Sequence, residues 1–199
     1  MSIARTEKRI GNVPYEEALP VHTAWDLGFD DPTSIWFFQV YAKEIRLIDY
    51  CEGSNESLQH WLRFVKSKDY SYGKHLAPHD IAVHELTTGM SRQVSARKMG
   101  VNLIRVPNTD KIVGIDEVRN ILNRCWFDEK RCEKGIKALE NYKKEWDERH
   151  GCWRSQPLHN FASHGADAFR TLATGLCYIV DTGGIDRHNP NEYLNNRFR

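Results

Sequence analysis

The chain has 199 residues, 40% hydrophobic and 28% charged, with 28 Lys+Arg against 27 Asp+Glu and a formal net charge of +1. This composition excludes a wholly disordered chain, a collagen-like chain and a membrane-embedded one, and the length fits one large domain that needs neither disulfides nor a structural metal to fold. Balanced charge means that any nucleic-acid binding must come from a local basic patch, not from bulk electrostatics.

Residues 1–20 are polar, with Gly11 and Pro14 and no sustained period, and read as a linker or leading arm. Residues 1–10 carry charge where a signal peptide would carry an apolar core, which predicts a cytosolic protein. Residues 21–26 alternate, and the turn-forming Asp30-Asp31-Pro32 follows. Residues 34–40 and 45–50 are strand-like, so three strands joined by short turns form an antiparallel meander. Ser54 offers a cap for a helix whose apolar face is Leu58, Trp61, Leu62 and Val65. Residues 74–80 form a short strand that Pro78 brings to its end.

Residues 91–99 read as a helix closed by Gly100, and 101–106 as a strand closed by Pro107. Residues 115–122 are helical. A longer helix is predicted over 129–149, with Cys132, Ile136, Leu139, Tyr142 and Trp146 along one side and 140–149 as a solvated face. After a broken stretch at 151–157, a last helix runs from about Asn160 to Ala173, and the tail from Asp181 lacks regular structure. A meander followed by alternating helices and strands gives an α/β fold with a mixed sheet flanked by helices. The core domain is expected over 21–175 and a C-terminal tail over 176–199.

Five cysteines without a CxxC spacing suit reduced thiols. A zinc site from Cys125, Cys132, His150 and Cys152 is the alternative to buried or incidental thiols, although the spacing matches no common knuckle.

Three acidic residues stand out. Asp26 closes the first strand before Gly28, Asp80 ends the strand at 74–80, and Asp167 lies in the last helix. Carboxylates from strand ends and a packed helix can meet at one sheet edge. Converging carboxylates raise one another's pKa, and hard divalent cations such as Mg²⁺ or Mn²⁺ compensate them; two such ions can serve both oxygens of a phosphodiester displacement. The alternative is that these are three of the 27 acidic residues, solvated at the surface.

The segment Leu19-Pro20-Val21-His22-Thr23-Ala24-Trp25-Asp26-Leu27-Gly28, with Asp31-Pro32-Thr33-Ser34-Ile35-Trp36-Phe37 after it, resembles the first two strands of the nuclease domain of tailed-phage terminase large subunits. Tyr72-Gly73-Lys74-His75-Leu76-Ala77-Pro78-His79-Asp80 is similar to that family's second acidic motif, and Thr88-Gly89-Met90-Ser91-Arg92 and Ala96-Arg97-Lys98-Met99-Gly100 fit its pattern. Ser163-His164-Gly165-Ala166-Asp167-Ala168-Phe169-Arg170 resembles the closing motif. The resemblance spans about residues 10–173 and implies a ribonuclease H-like fold. It also implies a metal-dependent endonuclease that cuts concatemeric double-stranded DNA during genome packaging, in the host cytoplasm at the procapsid portal. Asp26 would bridge two Mg²⁺ or Mn²⁺ ions, with Asp80 and Asp167 each completing one shell. The terminase ATPase domain, the small terminase subunit and the portal protein are the implied partners, and no membrane is.

His164 sits three residues before Asp167 and is expected either to ligate metal or orient Asp167, or to bond helix-start backbone. His159 is a cap or a site residue. His79-Asp80, with His75 and His84 nearby, raises the alternative of a metal phosphohydrolase. Asp30 and Asp31 form the turn or assist Asp26. Arg92, Arg97, Lys98 and Lys111 touch DNA phosphates or are simply solvated. Trp36, Phe37 and Phe38 read as core, and Trp126 and Trp146 as helix-packing residues.

The sequence has no G-x-x-x-x-G-K-[ST] phosphate loop, so it carries no packaging motor of its own. That is the expectation for an isolated domain or a truncated gene, with residues 1–20 as the remnant of an interdomain linker. Two alternatives stand beside the nuclease: a non-catalytic DNA- or portal-docking domain, and a resolvase- or integrase-like enzyme of the same fold.

Overall fold

The computed structural model describes residues 1–28, 32–83, 89–158 and 160–179. In chain order its first elements are α1 (Ser2–Thr6), β1 (Ile10–Gly11), β2 (Val21–Asp26), β3 (Thr33–Tyr41), β4 (Glu44–Gly53), α2 (Leu58–Ser67) and β5 (Tyr72–Ala77). A 3-10 turn (His79–Ala82) leads to α3 (Arg92–Lys98), β6 (Leu103–Arg105), α4 (Lys111–Leu122), β7 (Cys125–Asp128) and α5 (Glu133–Asn141). A hairpin of β8 (Lys144–Asp147) and β9 (Cys152–Pro157) precedes α6 (Ala162–Gly175) and a closing 3-10 turn (Leu176–Tyr178).

Seven strands form one sheet in the order β1-β7-β4-β3-β2-β5-β6. The meander β2-β3-β4 is antiparallel, while β5, β6, β7 and β1 add in parallel at its flanks. Side chains alternate across each strand, so the period of two sorts them onto two faces. Ala24, Trp36, Phe38 and Leu47 share one buried cluster with Phe127, Phe169 and Leu172, under α6. Trp25, Ile35, Phe37 and Ile48 share the other with Trp61, Leu62 and Val65 of α2. Trp36, Phe37 and Phe38 are therefore core residues, as expected. Asp26 lies two places beyond Ala24, which puts it on the face that carries α6.

The opening segment, expected to be a linker or leading arm, is stitched into the sheet. β1 pairs with Phe127 and Asp128, and the buried Arg9 guanidinium donates to the carbonyls of Leu122 at 2.7 Å and Cys125 at 2.9 Å. Those carbonyls lie at the end of α4 and the start of β7, so one side chain joins three segments.

Several boundaries differ from the expectation. The cap of α2 is Ser57, not Ser54: its hydroxyl accepts from the His60 amide at 3.2 Å. Pro78 does end β5, but Asp80 sits beyond the strand on the 3-10 turn. The long helix over 129–149 is replaced by three pieces. Asp128 Oδ1 first accepts from the amides of Lys130 and Arg131, turning the chain, and α5 then spans only Glu133–Asn141. Ile136 is buried, yet beyond Tyr142 the single large apolar side chain of 143–149 is Trp146, which stays 47% exposed on β8. A helix continued there would have had no apolar face to bury. Gly151, at φ +60°, forms the hairpin turn instead. Trp126 likewise lies on a strand, β7, rather than on a helix. Asp30, Asp31, His84, Thr88, His159 and the tail from residue 180 lie outside the described residues.

Candidate active site

The parallel register of β2 and β5 aligns Ala24 with Leu76, so both strands leave the sheet at one edge. Asp26, the last residue of β2, and Asp80, on the turn after β5, consequently line a single cavity of about 200 Å³. Asn108, Thr109, Arg170 and Thr171 complete much of its wall.

α6 supplies the third side. It begins where Asn160 Oδ1 accepts from the Ala162 amide at 2.9 Å, close to the predicted start. It packs unusually near the sheet through Gly165, where a Cβ would stand 2.7 Å from Ala138 Cβ and 2.8 Å from Tyr50 Oη. Trp36 Nε1 fixes that contact by donating to the Gly165 carbonyl at 2.9 Å. The neighbouring His164 then reaches Asp26, with Nδ1 3.1 Å from Oδ2. The sequence spacing pairs His164 with Asp167; the structure places it on Asp26 instead, because its side chain points over the end of β2.

Burial pushes the Asp26 carboxyl above the usual carboxylate range. The His164 hydrogen bond opposes that shift, while the charges of Asp167 and Asp80 add to it. Asp80 and Asp167 are thus both within electrostatic reach of Asp26. Asp167, however, is engaged by cations: Arg170 Nη2 lies 3.2 Å from Oδ1, and Lys111 Nζ lies 4.0 Å from Oδ2. It lines a neighbouring cavity of about 180 Å³ with Arg170, Tyr142 and Leu139, separate from the one that Asp26 and Asp80 share.

Among the described residues, no group of three or more His, Cys, Asp or Glu is arranged to hold a metal ion. The donors nevertheless fit a hard divalent cation in kind. They are carboxylates, their like charges raise Asp26, and the compensation that such a cluster needs is at present supplied to Asp167 by an ammonium and a guanidinium. The zinc alternative has less support. Cys125 and Cys132 are buried with their thiols on the carbonyls of Ile121 and Leu47, Cys152 is exposed, and burial pushes the Cys125 thiol up to about 12. His75 is buried and bonded to Thr23, away from an exposed His79-Asp80 pair.

Of the basic residues, Lys111 stands at Asp167. Arg92 donates to the Leu27 carbonyl at 3.3 Å and lines a separate cavity of about 210 Å³ with Gly28, Ser57 and Ser95. Arg97 and Lys98 are exposed in the last turn of α3. Sequence reasoning gave Arg170 no role; its position three residues after Asp167 on one helix was the available signal.

No protein-family model matches the sequence, and no curated protein matches it. Solved structures do. The large terminase of a thermophilic bacteriophage, in complex with ADP, superposes with a TM-score of 0.66 at 16% identity, covering 88% of this chain and 44% of that terminase chain. The P22 large terminase nuclease domain gives 0.63 at 19% identity, over 84% of this chain and 88% of that domain. The large terminase nuclease domain of bacteriophage SPP1 with bound Mn gives 0.57 at 17%, over 81% and 92%. The chain therefore spans less than half of the thermophilic-phage terminase but most of each isolated nuclease domain. No helix among the described residues is long and apolar enough to cross a membrane. Over most of its length, the chain has the ribonuclease H-like fold of large terminase nuclease domains.

Proposed function

We propose that this chain is a metal-dependent endonuclease that hydrolyses phosphodiester bonds of double-stranded DNA during phage genome packaging, with little sequence preference. The observation that carries the reading is the meeting of Asp26, Asp80 and His164 at one sheet edge, with Asp26 raised further by Asp167. Asp26, Asp80 and Asp167 would hold Mg²⁺ or Mn²⁺, whose contribution is to activate a water and offset charge on the phosphate. His164 holds Asp26 in a single orientation and favours its ionised form, the form able to ligate. Asn108 and Thr109 line the same cavity, where their polar side chains could orient a phosphate. The likenesses to the phage terminases supply a fold for this chemistry, not the chemistry itself. In the full assembly the partners are an ATPase domain, a small terminase subunit and a portal protein, in the host cytoplasm.

The experiment is cleavage of supercoiled plasmid with Mn²⁺ or Mg²⁺. Wild type should nick and linearise it, and Asp26→Ala or Asp167→Ala should not. Activity that survives either substitution rejects the assignment. Cleavage confined to branched DNA would favour the resolvase-like enzyme instead.

A second reading, a DNA- or portal-docking domain that keeps the fold without cutting, draws support from the pairing of Asp167 with Lys111 and Arg170. It requires that millimolar Mn²⁺ leave the thermal midpoint unchanged.

A further inference from the structure

Each oxygen of the Asp167 carboxylate faces its own cation, at 3.2 Å for Arg170 and 4.0 Å for Lys111. The fold builds both contacts. Arg170 lies one turn along α6 from Asp167, on the same face. Lys111 opens α4, whose start is fixed by Asp110 Oδ1 accepting from the Ile112 amide at 2.8 Å. Gly114, a turn further on, leaves the slot that the Arg170 stem fills: a Cβ there would stand 2.5 Å from Arg170 Cδ and 2.8 Å from Cγ. Asp167 Oδ1 and Arg170 Nε are both buried without a hydrogen-bond partner among the described residues, so charge rather than well-formed hydrogen bonding holds the pair. Arg170 also lines the cavity that Asp26 and Asp80 share.

We propose that Lys111 and Arg170 are internal counter-cations that compete with the divalent ion for Asp167, and so set the metal concentration that the site requires. The inference rests on the metal site proposed above. An ion that takes Asp167 must displace at least one of these partners and enter a field that both make more positive. Removing either charge lessens both costs, so metal binding tightens. If Arg170 served only to orient Asp167 for the metal, its loss would weaken binding; the two roles differ in sign.

The test is a Mn²⁺ titration of the full chain, followed by thermal midpoint and by the electron paramagnetic resonance signal of free Mn²⁺. Lys111→Gln and Arg170→Gln should each lower the half-saturating Mn²⁺ concentration by about threefold to tenfold, and Lys111→Arg should leave it at the wild-type value. Lys111 is partly exposed, so Lys111→Gln carries the test alone if Arg170→Gln fails to fold. An unchanged or higher half-saturating concentration in Lys111→Gln overturns the inference. Asp26→Asn separates this failure from that of the site itself. If Asp26→Asn leaves the Mn²⁺ response intact, the metal site falls and the inference with it. If it abolishes the response while Lys111→Gln has no effect, only the counter-cation role falls.

Discussion

His164 Nδ1 lies 3.1 Å from Asp26 Oδ2, joining the start of α6 to the end of the interior strand β2. The bond opposes the burial and like charges that raise the Asp26 pKa, so it keeps this carboxyl nearer to the ionised state that metal binding needs. His164→Ala should reduce Mn²⁺-dependent plasmid cleavage by about 10- to 100-fold. His164→Gln, which can still donate a hydrogen bond, should recover part of it. Equal activity in wild type and His164→Ala would remove His164 from the site.

Asp26 should trade stability for function. Its folded pKa is raised, so the protonated carboxyl is favoured by folding; the stability this contributes is present below the unfolded pKa and is lost as pH rises through the folded one. At neutral pH in EDTA, Asp26→Asn should therefore raise the thermal midpoint, by about 1–3 °C, while abolishing cleavage. A lower midpoint would mean that the carboxylate is already well compensated.

Gly165→Ala should destabilise the protein by about 1–3 kcal/mol in urea unfolding, since the new methyl meets Ala138 and the Tyr50 hydroxyl. Adding Tyr50→Phe relieves one of those contacts and should restore part of the loss. Wild-type stability in Gly165→Ala would show that α6 has room to retreat.

Two buried histidines should make the fold acid-sensitive. Trp25 Nε1 donates to Thr23 Oγ1, which shares a 2.7 Å hydrogen bond with His75 Nδ1; the His22 Nδ1 accepts from the Lys74 amide at 2.9 Å. The His22 ring accepts at Nδ1 and must be neutral there. Burial lowers each pKa to about 4, with the Lys74 charge adding to the effect at His22. The unfolded chain binds more protons than the folded one between about 4 and 6.5, so stability rises with pH across that window. Melts from pH 4 to pH 7 should show this slope, and His75→Gln should flatten it. A midpoint independent of pH over that range would contradict the buried neutral pair.

The meander and the α6 helix were legible because their residues satisfy local rules: alternation in 21–26, β-branched and aromatic residues in 34–40, and a helical run from about Asn160 to Ala173. So was the grouping of Asp26 and Asp80 at one sheet edge, once β2 and β5 were placed side by side. What stayed hidden depends on contacts distant in sequence. Cys125–Asp128 is four residues long and becomes a strand only by pairing with β4 and β1. The segment beyond Tyr142 has helix-forming composition but no surface to cover. The partner of His164 could not be read from its spacing to Asp167, since that spacing says nothing of how close the helix sits to the sheet. Nor does the sequence declare that Lys111, 56 positions away, meets Asp167.

The glycine contact at position 165 divides the proposed metal site into a fixed anchor and adjustable jaws. With no space between helix and sheet there, α6 cannot slide to tune the Asp26–His164 spacing, and that pair becomes the reference point of the whole constellation. If the site binds an ion as proposed, any tightening around it would have to come from rotation of the Asp167 side chain and from the short turn that carries Asp80. In the proposed metal site, ion choice would then be decided at the periphery, by how far those two carboxylates can travel.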